Sequence, residues 1–135
     1  MRWTTTPSWL LWPLISSCAT APAAERSFEA PPAELRAAVR AALSLHPELR
    51  EEEARLVSGW GPERPAGEQG FFLGHGYVVR ERFEVGLSGS SVAVRASVER
   101  RAPGGPRSRQ WERVDGAPAA EALLADVARR LEKTP

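Results

Sequence analysis

Two stretches of the chain alternate apolar and polar residues with the period of a strand, and two others repeat apolar residues with the period of a helix. Tyr77, Val79, Phe83, Val85 and Leu87 share one face; after Ser88-Gly89-Ser90, residues Val92, Val94, Ala96 and Val98 alternate in the same way. This pattern predicts an antiparallel hairpin. A two-residue turn at Ser88-Gly89 pairs Val85 with Val92, and one at Gly89-Ser90 pairs Val85 with Val94. Either keeps apolar residues opposite one another, whereas an unbulged three-residue loop turns one apolar face outward. Glu81 interrupts the apolar face. A buried carboxylate needs a partner, so Glu81 is either a functional acid or a side chain that reaches water near a sheet edge or past a small neighbour such as Ala96.

The helical pattern appears first from Pro32 to about Leu45, where Leu35, Ala38, Val39, Ala42 and Leu43 form one stripe and Glu34, Arg36 and Arg40 take the other side. A proline in the first turn is tolerated, and Pro47 ends the element. Arg36 is expected to lie at the surface, where a change does little. The second helix runs from Pro118 to Glu132 with Ala120, Leu123, Leu124, Val127 and Leu131 on one face. Glu121 is placed in its first turn and Arg129, Arg130 and Lys133 in its last, the order that suits the helix dipole.

Shorter signals fill the remainder. Leu56, Ser58 and Trp60 alternate with Val57 and Gly59, predicting a strand from about Arg55 to Trp60, preceded by a solvated run Glu51-Glu52-Glu53. Ser108 to Val114, with Trp111, predicts a last short strand that Asp115-Gly116 ends. Residues 61–76 hold two prolines, five glycines and the apolar run Phe71-Phe72-Leu73. That run either folds back onto the core or forms an exposed tip that binds a partner protein or lipid. The order helix, strand, hairpin, strand, helix gives an α+β fold: an antiparallel sheet of three to four strands, with two amphipathic helices packed on one face.

The N-terminal part changes the picture from fold to address. Met1-Arg2 and the apolar run Trp9-Leu10-Leu11-Trp12-Pro13-Leu14-Ile15 lead into Ser16-Ser17-Cys18, and Cys18 is the only cysteine. The run has the length of a signal peptide core and is too short to span a bilayer as a helix. Ile15-Ser16-Ser17-Cys18 resembles the lipobox of bacterial lipoproteins. The resemblance implies a diacylglyceryl group on the Cys18 thiol, cleavage before it, and a mature protein anchored in a membrane. Ala19 and Thr20 are not the acidic residues associated with inner-membrane retention, so it points to the outer membrane, facing the periplasm. The domain organisation expected is a signal peptide at 1–17, a lipidated tether at 18–27 and one α+β domain at 28–135. The tether, small and Pro-containing from Ala19 to Arg26, would reach on the order of 25 Å at full extension.

Composition limits the function. Loss of residues 1–17 from 135 leaves 118, enough for one modest core and no second domain. Of the 18 basic residues Arg2 alone precedes Cys18, so 17 basic face 17 acidic residues in the mature chain. That balance does not indicate nucleic acid as a partner. Arg100, Arg101, Arg107 and Arg109 crowd the turn Pro103-Gly104-Gly105-Pro106, where they would meet an acidic partner or lipid phosphates. His46 and His75 are the only imidazoles, too few for a zinc site, and no lipase-type Gly-x-Ser-x-Gly elbow occurs. Gly74-His75-Gly76 precedes a strand instead of opening a helix, so it is no phosphate loop. No metal, cofactor or catalytic residue is expected, and the chain is read as a non-enzyme.

The element order, with Phe28 before the first helix, Trp60 closing a strand, Trp111 after the hairpin and a Leu-rich last helix, is similar to the small helix-grip domains of outer-membrane lipoproteins such as BamC. The resemblance spans about residues 25–133 and implies an accessory binding module in envelope assembly, acting through a sheet edge or loop. The expectation is therefore a non-enzymatic, tethered module that binds another envelope protein, with Phe71, Phe72 and Leu73 as candidate contacts. The alternative is a small carrier that admits a lipid or other apolar ligand between helices and sheet. A core filled by Leu35, Val39, Leu43, Leu123, Val127, Phe83 and Val94 would exclude the carrier.

Overall fold

A computed structural model of the chain describes residues 24–66, 77–102 and 110–133. The class is α+β, but the expected three to four strands are wrong: the sheet has seven, all paired antiparallel. In chain order they are β1 (Ala24–Ser27), β2 (Arg50–Glu52), β3 (Arg55–Val57), β4 (Arg64–Ala66), β5 (Tyr77–Ser88), β6 (Ser91–Arg101) and β7 (Glu112–Val114), with helices α1 (Pro32–Ala42) and α2 (Ala117–Lys133). The strands run β1-β6-β5-β3-β2 across the sheet, and β4 also pairs with β5 and β7 with β6. Five of the seven strands are three or four residues long. Such strands carry at most two residues per face, too few for a period to register.

The long pair β5 and β6 is the centre of the sheet. Its register sets Val85 opposite Val94, Phe83 opposite Ala96 and Ser88 opposite Ser91, which selects the Gly89-Ser90 turn. Gly89 sits at φ +58, the positive angle that the first central residue of a tight hairpin turn needs. Glu81 faces Val98 in this register and lies inside the sheet, between β6 and the β4 side, so the edge expected for it is absent.

Along the other side of β5 the chain forms one interrupted strand. After Val57, which pairs with Glu84, residues 58–63 stand against 80–83 before Arg64 pairs with Val79. The surplus is a bulge. Ser58 opens it: its N–H donates to the Phe83 carbonyl at 2.9 Å, and its hydroxyl accepts the Phe83 N–H at 2.9 Å. The expected strand Arg55–Trp60 therefore ends at Val57, and Trp60 lies in the bulge.

Two charged stretches read as solvent-facing are structural. Glu51 and Glu52 belong to β2; Glu51 pairs with Arg40 of α1 at 2.7 Å and Glu52 with Arg55 at 2.9 Å. Arg55 holds the exposed Glu52 carboxyl below its usual value, by hydrogen bond first and charge second. Arg36 is not a neutral surface position. Its guanidinium donates to the backbone carbonyls of Glu52 and Glu53, tying α1 to the β2 edge and its turn. The same contact occupies carbonyls that a free edge offers to another chain.

The proposed tether is also shorter than expected. Residues Ala24–Ser27 are not a linker: they pair with Val94, Ala93, Val92 and Ser91 of β6, and Ala24 is buried. Residues 19–23 lie outside the described residues.

Helix α1 stops at Ala42, short of Leu45, where Ser44 and His46 donate to Ala41 and Leu43 carbonyls and tighten the last turn. Helix α2 starts one residue earlier than expected, so no acidic residue lies in its first turn. Asp115 replaces it, accepting the Ala117 N–H at 3.1 Å. Gly116 is fixed by close approach, because a Cβ there would lie 2.1 Å from the Ala96 carbonyl oxygen of β6. The helices cover one face of the sheet. Leu35, Val39 and Leu43 of α1 and Leu123, Leu124 and Val127 of α2 close over Leu56, Phe83, Val85, Val92 and Val94.

Candidate binding surface on the open face of the sheet

Strand alternation places Phe83 and Val85 toward the helices and Arg80, Arg82 and Glu84 toward the opposite side. On β6 the same rule turns Arg95, Ser97 and Glu99 outward beside them. No helix covers this second face among the described residues, and it is charged.

Five side chains form a stacked ladder across it. The Arg80 guanidinium lies 4.3 Å from the Trp60 ring centre and 4.1 Å from that of Trp111, between the two indoles. Arg82 stacks on Trp60 at 4.7 Å and Arg101 on Trp111 at 4.9 Å. The order is Arg82, Trp60, Arg80, Trp111, Arg101. Glu99 fixes the central guanidinium with two contacts to one oxygen at 2.6 and 3.0 Å, and Glu63 pairs with Arg101 at 3.2 Å. Planar guanidinium groups stack on aromatic faces in a way an ammonium does not. The ladder joins the bulge, β5, β6 and the start of β7, whose tryptophans come from segments 51 residues apart.

Beyond Arg82 the face sinks into an open basin of about 960 Å³ that crosses β3, β5, β6 and β7. Its guanidinium groups are Arg50, Arg82, Arg95 and Arg113; its carboxylates are Glu48, Glu84 and Asp115. Glu84 is committed to Arg55 at 2.7 Å and Arg95 at 3.3 Å, and Asp115 to the α2 N-terminus. Arg82 and Arg113 are exposed and make no ion pair among the described residues. The basin therefore presents a surplus of positive charge.

Most residues singled out from sequence are absorbed elsewhere. Glu81 pairs with Arg64 at 3.1 Å on the helix side of the sheet. Arg100 pairs with Glu112 at 3.1 Å and stacks on Tyr77 at 4.6 Å. His46 packs edge-on to Phe83 at 5.2 Å with its Nδ1 buried and unpartnered; burial pushes its pKa below 6.5, and the nearby Glu81 charge partly opposes this. Cys18, Phe71, Phe72, Leu73, His75, Arg107 and Arg109 lie outside the described residues. The ladder was not foreseen. Arg80 and Arg82 on the polar face of β5 were its one local signal, since the tryptophans reach them only through tertiary contact.

Among the described residues no group of three His, Cys, Asp or Glu side chains is placed to hold a metal, and no helix is long and apolar enough to cross a membrane. Comparison with family models, curated proteins and solved structures finds no match to this chain.

Proposed function

We propose that this chain is a membrane-tethered, non-enzymatic binding module of the cell envelope, anchored by lipid on Cys18 and docking a partner protein on the open face of its sheet. The observation that carries the docking surface is the pairing of the ladder with the basin. The ladder is a stiff, preorganised rim of aromatic and guanidinium groups, and the basin beside it holds arginines without carboxylate partners. Tryptophan and arginine are the residues most often found as binding anchors. The anchor rests on the lipobox-like Ile15-Ser16-Ser17-Cys18. Five residues separate Cys18 from Ala24, a link of no more than about 20 Å.

The carrier reading lacks support. Leu35, Val39, Leu43, Leu123, Val127, Phe83 and Val94 are all buried in one cluster between helices and sheet, and the basin lies on the other side.

Two measurements test the proposal in the native envelope. With Cys18→Ser the protein should lose acyl label and leave the membrane fraction; unchanged precursor mass and membrane association would remove the anchor. A photocrosslinking residue at Ser97, on the basin floor, should capture an envelope protein that one at exposed Glu121 of α2 does not. Equal capture from both positions would remove the docking surface.

A further inference from the structure

We infer that the occupant of the basin is an acidic polypeptide segment, recognised through its carboxylates by Arg82, Arg113 and Arg50. This rests on the reading of the open face as the docking surface and assigns that surface its partner chemistry.

Three features select this occupant. The first is charge. Arg82 and Arg113 have no carboxylate among the described residues, and Arg50 is exposed with Glu52 acting on it only through charge. The second is the chemistry the face already uses. Every paired guanidinium on it takes a glutamate: Arg55 and Arg95 take Glu84, Arg80 takes Glu99 and Arg101 takes Glu63. An incoming carboxylate extends that pattern, since the fork of guanidinium donors matches the two oxygens. The third is shape. The basin is concave and crosses several strands, so a protruding polypeptide segment enters it and a flat bilayer surface does not. Glu48, Glu84 and Asp115 stand in the same basin, where they repel a doubly charged phosphate more than a single carboxylate. Arg82 and Arg113 come from β5 and β7, two strand spacings apart, about 10 Å. Successive acidic side chains of one extended segment bridge that gap.

The test measures anisotropy of a labelled run of eight glutamates, capped at both ends, with the full chain. The peptide should bind, weaken at least tenfold in Arg82→Gln/Arg113→Gln, and weaken steeply as salt rises from about 50 to 500 mM. Arg129→Gln, on exposed α2, should change binding less than twofold. Unchanged melting temperature in the double variant separates lost recognition from lost fold, because neither arginine makes an ion pair. Peptide binding that ignores the double substitution overturns the inference. So does tighter binding of pyrophosphate or phosphatidylglycerol vesicles with the same arginine dependence, which assigns the basin to phosphate. Absence of peptide binding while Ser97 still crosslinks its partner also overturns it, and leaves the docking surface standing.

Discussion

On β5 and β6 neighbouring residues meet opposite environments. Val85 and Val94 face each other with no solvent exposure, while Glu84 and Arg95, one position along on each strand, form an ion pair at 3.3 Å on the far side. Burying a valine contributes about 1.5–3 kcal/mol, whereas an exposed ion pair contributes about 0–1 kcal/mol. One sheet therefore divides its work between its faces. The helix side supplies stability, which leaves the open side free to carry charge whose energy is realised when a partner arrives. The two sides also differ in their response to salt, since burial is indifferent to modest ionic strength and exposed charge is screened.

The comparison breaks most sharply at Val94. Val94→Asp places an unpaired carboxylate in the core at a cost of several kcal/mol against a total stability of about 5–15, so the domain should unfold. Arg113→Gln, on the open face, should stay within about 0.5 kcal/mol of the wild type. Circular dichroism melts of both variants check this, and a cooperative Val94→Asp transition at the wild-type temperature contradicts the packing.

Gly116→Ala probes the joint between the faces. The new methyl meets the Ala96 carbonyl, so β6 or the start of α2 must shift, at about 1–3 kcal/mol. Urea titration should show a lower midpoint with the slope retained; an unchanged midpoint would mean the backbone approach is looser than described.

Arg80→Ala removes the centre of the ladder. Two stacking contacts of about 0.5–1 kcal/mol each and the Glu99 pair are lost, for a destabilisation of about 1–2 kcal/mol. Arg80→Lys should recover less than half, because an ammonium does not stack as a plane between two indoles. Full rescue by lysine would reduce the ladder to simple charge pairing.

The smallest expected effect is that of pH on His46. Its folded pKa lies below the unfolded value of 6.5, so the folded chain binds fewer protons as pH falls. The stabilisation is complete above 6.5 and is lost as pH falls from there through the lowered folded pKa. Melting temperature should decline on acidification in that window, and His46→Gln should remove this part of the decline. A slope unchanged by the substitution would place the titration elsewhere.

Both long strands and both helices were legible in the chain because a one-sided core imposes its period on any element of ten or more residues. Alternation alone narrowed the hairpin register to two choices, and the turn at Gly89 selected one. Short β2, β4 and β7 left no such trace, and β1 was hidden in a stretch whose small residues read as a linker. Their existence follows from long-range pairing: Ala24 finds Val94, and Arg64 finds Val79, across gaps that no local pattern spans. The same holds for the binding surface. Local order assigned Arg80 and Arg82 to the polar face of β5. Only the folded sheet brings Trp60 and Trp111 to them and leaves Arg82 and Arg113 without a carboxylate, because stacking and charge balance depend on distance in space and not on position in the chain.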